Sequence, residues 1–138
     1  MRRLFFIPIL FLFIIFGCSN DDDNSNNPFS FEINGVWNLI NVQGGFAGVD
    51  QDFEKGTIIW TFNESTKMVT IANNTTITGV YSGLASGTYP YSINALANTS
   101  ALELIVNENS LGTLALVTPL IFTVDDQPLD GFKITFER

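Results

Sequence analysis

GFKITFER, residues 131–138, alternates cleanly: Phe132, Ile134 and Phe136 fall on one side of an extended chain, Lys133, Thr135 and Glu137 on the other. Successive side chains of a strand point to opposite faces, so the segment reads as a half-buried antiparallel strand. The same period recurs back along the chain. TIIWTFN at 57–63 places Ile58, Trp60 and Phe62 on one face and Thr57, Ile59, Thr61 and Asn63 on the other. After a turn at 63–66, Val69 and Ile71 share a face within 67–72, and Ile77 and Tyr81 alternate with Thr76 and Thr78 within 75–81. Tyr89, Tyr91 and Ile93 align in 88–94, and Leu102, Leu104 and Val106 in 101–106. Runs at 111–117 and 120–124 flank Pro119, a strand-end residue. With GVWNLINV at 35–42 as the first run, β-prone segments recur about every eight to twelve residues between Gly, Asn and Asp clusters. The fold expected is all-β with eight or nine strands. A last strand this regular, pairing back to the first, would close an antiparallel up-and-down barrel of about eight strands. A two-sheet β-sandwich needs the same alternation and stays open as the alternative. No apolar helical period exceeds about two turns, and the one short helical turn expected is near 94–100.

Composition limits the chemistry. The chain of 138 residues has a formal net charge of −8 and 46% hydrophobic residues, enough for one domain with its own core. Without Arg2 and Arg3, four cations (Lys55, Lys67, Lys133 and Arg138) face fourteen carboxylates. Such a surface repels phosphate backbones, so nucleic acid is not an expected partner. Cys18 is the single cysteine and histidine is absent. This excludes an intramolecular disulfide, thiolate clusters, Ser-His and Cys-His nucleophile pairs and most zinc sites.

The N-terminus reads as an export signal. Met1-Arg2-Arg3 is a short basic start, and residues 4–16 form an apolar run broken only by Pro8. A helix of that length spans about 20 Å, short of the roughly 30 Å hydrocarbon core, which argues against a retained transmembrane anchor. The run exits through Ile15-Phe16-Gly17-Cys18. This resembles the lipobox of bacterial lipoproteins, in which a small residue precedes the cysteine that is acylated and becomes the N-terminus. The resemblance implies cleavage before Cys18 and a membrane anchor of acyl chains on it; Phe16 is bulkier than usual at its position. Two or more acyl chains give stable anchoring. Ser19, Asn20, Asp21, Asp22 and Asp23 open a polar stretch that ends at Pro28, with the composition of a flexible tether. An acidic run here also resembles the surface-export signal of Bacteroidetes lipoproteins, with Ser19, Asp21, Asp22 and Asp23 as its residues. The organisation expected is a signal peptide over 1–17, lipidated Cys18 and tether over 18–28, and a β domain over 29–138. The location expected is the outer membrane, surface-exposed, with its periplasmic face as the alternative.

Gly35-Val36-Trp37, opening the first strand after a lead-in at 31–34, resembles the Gly-x-Trp motif of lipocalins, whose Trp closes one end of the barrel. With the strand count and the terminal strand, the pattern from about 32 to 138 resembles small lipocalin-like lipoproteins of Bacteroidetes. It departs from lipocalins in having no disulfide and no clear helix before the last strand. The resemblance implies an Arg late in the barrel stacked on the Trp, a role that falls to Arg138. It also implies a barrel able to enclose one small hydrophobic ligand, with Trp60, Phe62, Tyr89, Tyr91 and Phe122 as the lining. The opposing reading is that these rings fill the core.

Other candidates carry less. The acids of 50–54 read as a solvated loop following the glycine-rich 44–48, and they lack the glycine and further ligands of a calcium loop. GGFAG is not followed by Lys-Ser/Thr or a helix, so it reads as a mobile rim loop rather than a phosphate loop, and rim loops often carry recognition. Asp21, Asp22 and Asp23 do not form a converging calcium site, so no metal or cofactor is expected. Glu32, Glu64, Glu103, Glu108 and Glu137 include no pair singled out by spacing for glycoside hydrolysis. The expectation is a non-enzymatic envelope lipoprotein binding a small hydrophobic ligand in its barrel. The alternative is a surface module with a solid core that binds protein or glycan, using Tyr81, Tyr89 and Tyr91 exposed together.

Overall fold

A computed structural model describes residues 32–138; Cys18, Ser19, Asp21, Asp22 and Asp23, with the leader and tether, lie outside the described residues. Nine strands form in chain order: β1 (Gly35–Gly44), β2 (Val49–Asp52), β3 (Ile58–Asn63), β4 (Met68–Asn73), β5 (Gly87–Ala95), β6 (Leu102–Val106), β7 (Asn109–Thr118), β8 (Ile121–Asp125) and β9 (Phe132–Glu137). From β3 onward each strand pairs antiparallel with the next, and β9 returns to β1, Asn38 opposite Glu137 and Gly44 opposite Phe132. The result is a closed antiparallel up-and-down barrel of eight strands plus one extra segment, lipocalin-like in architecture, and the sandwich alternative falls away. Closure joins the first and last strands of the ring, so β9 offers no open edge and, among the described residues, β2 is the strand paired on one side only.

The extra segment is placed by the register. Residues 41–44 pair with both β2 and β9, and Asn38 pairs with both β3 and β9. So β2 and β3 share one edge of β1, end to end, separated by an excursion at 53–57. That excursion tucks Phe53 into the core, with its N–H donating to the Ile40 carbonyl at 2.9 Å. Asn38 holds the turn beyond it, accepting from the Gly56 N–H at 2.9 Å.

Three sequence expectations are corrected. Residues 75–81 form no strand: β4 pairs directly with β5, leaving no edge for them, and residues 74–86 run as a loop. Residues 50–52 are strand rather than loop, because β2 pairs with the end of β1 while Asp50 and Asp52 stay in solvent. No helix forms near 94–100; the helical element among the described residues is a single 3-10 turn at Gln127–Leu129.

The core is one cluster on the inward faces. Ile58, Trp60 and Phe62 of β3, Val69 and Ile71 of β4, and Ile134 and Phe136 of β9 are all buried, as their alternation requires. Gly112 marks a bulge in β7, where Leu104 pairs with Gly112 and Ile105 with Ser110. A side chain there would run into the Asp125 carbonyl oxygen, and φ is +113°, so only glycine fits.

Candidate functional site

The two ends of the barrel are built differently. At one end lie the lead-in at 32–34, the β3–β4, β5–β6 and β7–β8 turns and the C-terminus; at the other, the β1–β2, β4–β5, β6–β7 and β8–β9 connections.

The first end is closed. Ile33 and Trp37 are buried, and the Trp37 indole N–H donates to the Ile33 carbonyl at 2.7 Å. The Arg138 guanidinium lies over the Trp37 ring, 4.3 Å from its centroid, and donates to the carbonyl oxygens of Glu32 and Asn34. A cation over an indole face is attracted by the ring quadrupole, and the fork of N–H groups satisfies backbone carbonyls the sheet does not reach. The terminal Arg thus takes the place that the resemblance assigns to it.

Inside, aromatic rings run in continuous contact. Phe122 meets Trp37 edge-on and Phe136 face-on, each at 4.6 Å between centroids. Phe136 meets Trp60 at 5.1 Å, Trp60 meets Phe62 at 6.0 Å, and Phe62 meets Tyr91 at 5.0 Å. Four of the five residues proposed as lining, Trp60, Phe62, Tyr91 and Phe122, are therefore brought together, buried and packed against one another. Eight strands enclose a bore just wide enough for side chains, and here rings occupy it. Tyr89 is half-buried, and its hydroxyl donates to the Ala85 carbonyl at 3.1 Å.

The mouth is plugged by the 74–86 loop. A methyl group on Gly83 would lie 3.1 Å from Leu39 Cδ1 and 3.5 Å from Trp60 Cζ2, so the loop backbone rests on the core rings. Tyr81 stacks on Phe132 at 4.4 Å, and its burial raises its pKa. The Asn73 side-chain amide fastens the loop by donating to the Ser82 and Leu84 carbonyls, both at 3.1 Å. Beside the plug a concavity of about 140 Å³ is lined by Tyr81, Leu111, Phe132, Ile134 and Asp126, among others. An open concavity of about 250 Å³ lies where Pro90, Tyr91, Ser92, Ile105 and Glu108 meet.

Two buried polar atoms have no hydrogen-bond partner among the described residues: the Trp60 indole N–H and the Tyr91 hydroxyl. Burial raises the Tyr91 pKa, with the Glu64 carboxylate adding to the effect. The Tyr platform expected of an interaction surface is corrected: Tyr91 is buried, Tyr89 half-buried and Tyr81, on the plug loop itself, stacked on Phe132, so they share no exposed face.

Exposed apolar side chains stand at both ends, Val36, Val117 and Leu120 toward the closed end, but the two most exposed stand on the mouth rim. Phe46, at the tip of the β1–β2 hairpin, is fully exposed, and Leu129, on the 3-10 turn, is 80% exposed. Their loops are joined where the Gly45 N–H donates to the Gly131 carbonyl at 2.8 Å, with Gly45 lying against the Phe132 ring. Ile77, on the plug loop, is exposed at the same end. Sequence reasoning marked the GGFAG loop as a recognition rim without naming Phe46, although a lone Phe between glycines has no local partner to cover it. Leu129 gave no signal, because a Pro-Leu-Asp-Gly turn does not say which way its Leu points.

No protein-family model, curated protein or solved structure matches the chain. Among the described residues no group of three or more Asp, Glu, His or Cys is arranged to hold a metal ion.

Proposed function

We propose that this is a lipid-anchored, non-enzymatic lipoprotein of the outer membrane, surface-exposed, whose solid barrel is a scaffold for binding through its mouth rim. The anchor reading rests on the basic start, the short apolar run and Gly17-Cys18. The observation that carries the binding reading is the contrast between inward rings packed on one another and a rim that leaves Phe46 and Leu129 uncovered. Contiguous apolar surface, unlike a singly exposed residue, marks an interaction site, and Phe46 and Leu129 are taken as one patch because their loops are hydrogen-bonded together. Residues 32–34 lie at the closed end, opposite the rim.

The anchor is tested by metabolic labelling with palmitate, expected on the full-length protein and lost in Cys18→Ser. The rim is tested with a photo-crosslinking residue at position 46 or 129 in cells, against the outward wall position 61. Protein adducts at 46 and 129 but not at 61 support the reading; equal yields at all three, or none, overturn it.

One observation favours a second reading, a small hydrophobic ligand at the mouth. The Trp60 edge that carries the unpartnered N–H is also the edge under Gly83. A ligand displacing the plug would gain an indole donor for its own acceptor. Native mass spectrometry of gently purified protein tests this: a bound small molecule that Trp60→Phe releases supports it, and unliganded protein alone overturns it.

A further inference from the structure

We propose that the mouth rim docks a cationic protein segment with an apolar centre, in preference to a bilayer or a second copy of this chain; this rests on the rim reading above. The two ends of the barrel differ in charge. All five Asp of the described residues lie on or beside the two connections that carry Phe46 and Leu129: Asp50 and Asp52 on β2, Asp125 at the end of β8, and Asp126 and Asp130 in the β8–β9 connection. The cation of this region is Lys133, 3.7 Å from Asp125. The other three described cations sit toward the closed end: Arg138 on Trp37, Lys55 on Glu137 at 3.0 Å, and Lys67 in the β3–β4 turn.

Three of these acids are held in place by hydrogen bonds. The Asn41 amide donates to Asp50 and Asp52, at 3.0 and 2.8 Å, fixing both on the β1–β2 ribbon. Asp125 accepts from the Gln127 N–H at 3.0 Å, which shapes the turn presenting Leu129. Asp130 is exposed one residue further on.

This pattern separates the occupants. Two copies meeting rim to rim would set twelve carboxylates, the five Asp and Glu108 of each, against two lysines, which opposes self-association. An anionic bilayer would be repelled in the same way. A protein segment with lysine or arginine around an apolar centre would meet complementary charge at its edge and cover Phe46 and Leu129 at its middle, the ordinary arrangement of a polar rim around a desolvated core.

The experiment uses a synthetic amphipathic Leu/Lys peptide as probe, its Leu/Glu counterpart, and phosphatidylglycerol vesicles. Binding is followed by amide shifts in NMR spectra of residues 32–138 and of the full chain with Cys18→Ser. The expected result is shifts confined to residues 44–52 and 125–131, an affinity lowered about tenfold or more by Phe46→Ser/Leu129→Ser, and a further loss as salt rises from about 0.05 to 0.5 M. Both substitutions are on exposed side chains, and an unchanged melting temperature shows the variant is folded. Asp50→Asn/Asp130→Asn should weaken the salt dependence while leaving the Phe46 effect. Binding that ignores Phe46→Ser/Leu129→Ser, equal binding of the Leu/Glu peptide, preference for the vesicles, or a dimer forming through the rim would each overturn the proposal. The crosslinks at position 46 separate the two levels: adducts to acidic or uncharged protein segments refute the cationic partner and leave the rim reading standing, whereas no rim adduct refutes the rim reading itself.

Discussion

Phe122→Ala distinguishes a filled barrel from a ligand-lined one. Phe122 is fully buried, edge-on to Trp37 and stacked on Phe136, each at 4.6 Å, with Phe62 at 6.5 Å. Truncating a buried Phe costs about 3–5 kcal/mol, the higher values where surroundings cannot relax into the space. Relaxation is restricted here, because the strands around the ring are hydrogen-bonded into a closed wall. Each well-placed aromatic pair is worth about 0.5–1.5 kcal/mol beyond area burial. The expected loss is therefore about 4–5 kcal/mol, a large share of the roughly 5–15 kcal/mol that holds a domain folded. Were Phe122 a wall of an open ligand cavity, one face would already lack packing partners and the loss would be nearer 2 kcal/mol. The assay is urea denaturation followed by fluorescence of Trp37 and Trp60, both buried. With a slope of about 1–3 kcal/mol per molar urea, the midpoint should fall by about 2 M. Phe122→Leu, losing about 1.5 kcal/mol or less, supplies a measurable value should the Ala variant not fold. A loss under about 1.5 kcal/mol for Phe122→Ala, with unchanged slope, would refute the filled-barrel argument.

Arg138→Ala should lower stability by about 1–2 kcal/mol, removing the cation over Trp37 and two donors to carbonyls. Arg138→Lys should recover less than half of that, because an ammonium lacks the planar fork; thermal melts of both variants check this. Gly112→Ala should cost about 3 kcal/mol, from positive φ and a clash with the Asp125 backbone. Gly48→Ala, also at positive φ but with nothing within 4 Å, should cost only about 1 kcal/mol in the same melts. Stability should also fall as pH rises above about 10. Tyr81 and Tyr91 have raised pKa values, through burial and, for Tyr91, also Glu64. The unfolded chain therefore loses these protons first, binds fewer than the folded one, and gains population with rising pH. Melting temperature against pH, with tyrosinate absorbance, should show these tyrosines ionising together with unfolding.

The alternation of β3, β6 and β9 was legible because a half-buried strand needs only its own period of two to choose inward residues. Trp60, Phe62 and Phe136 point inward for that reason, whatever they touch there. Gly35 and Trp37 were legible as the start of the first strand. Residues 75–81 misled because Thr and Ile suit a strand, yet a strand also needs an edge, and β4 had given its edge to β5. Asp50 and Asp52 misled the other way: β2 exists because β1 outruns β3 and offers an edge at the mouth, not because its own sequence favours extension.

Residue order alone carries the all-β class, the inward set of side chains, the absence of histidine and of a second cysteine, and the lipobox-like N-terminus. Each of these depends on residue type or on neighbours a few positions away. Long-range packing supplies the rest: the closure of the sheet, the reach of Arg138 over a hundred residues back to Trp37, the contact of the inward rings with one another and with the 74–86 loop, and the adjacency of the loops carrying Phe46 and Leu129. These are properties of distance between strands far apart in the chain. Whether an inward ring meets a ligand or another ring depends on the radius and stagger of the closed barrel, which no local period encodes.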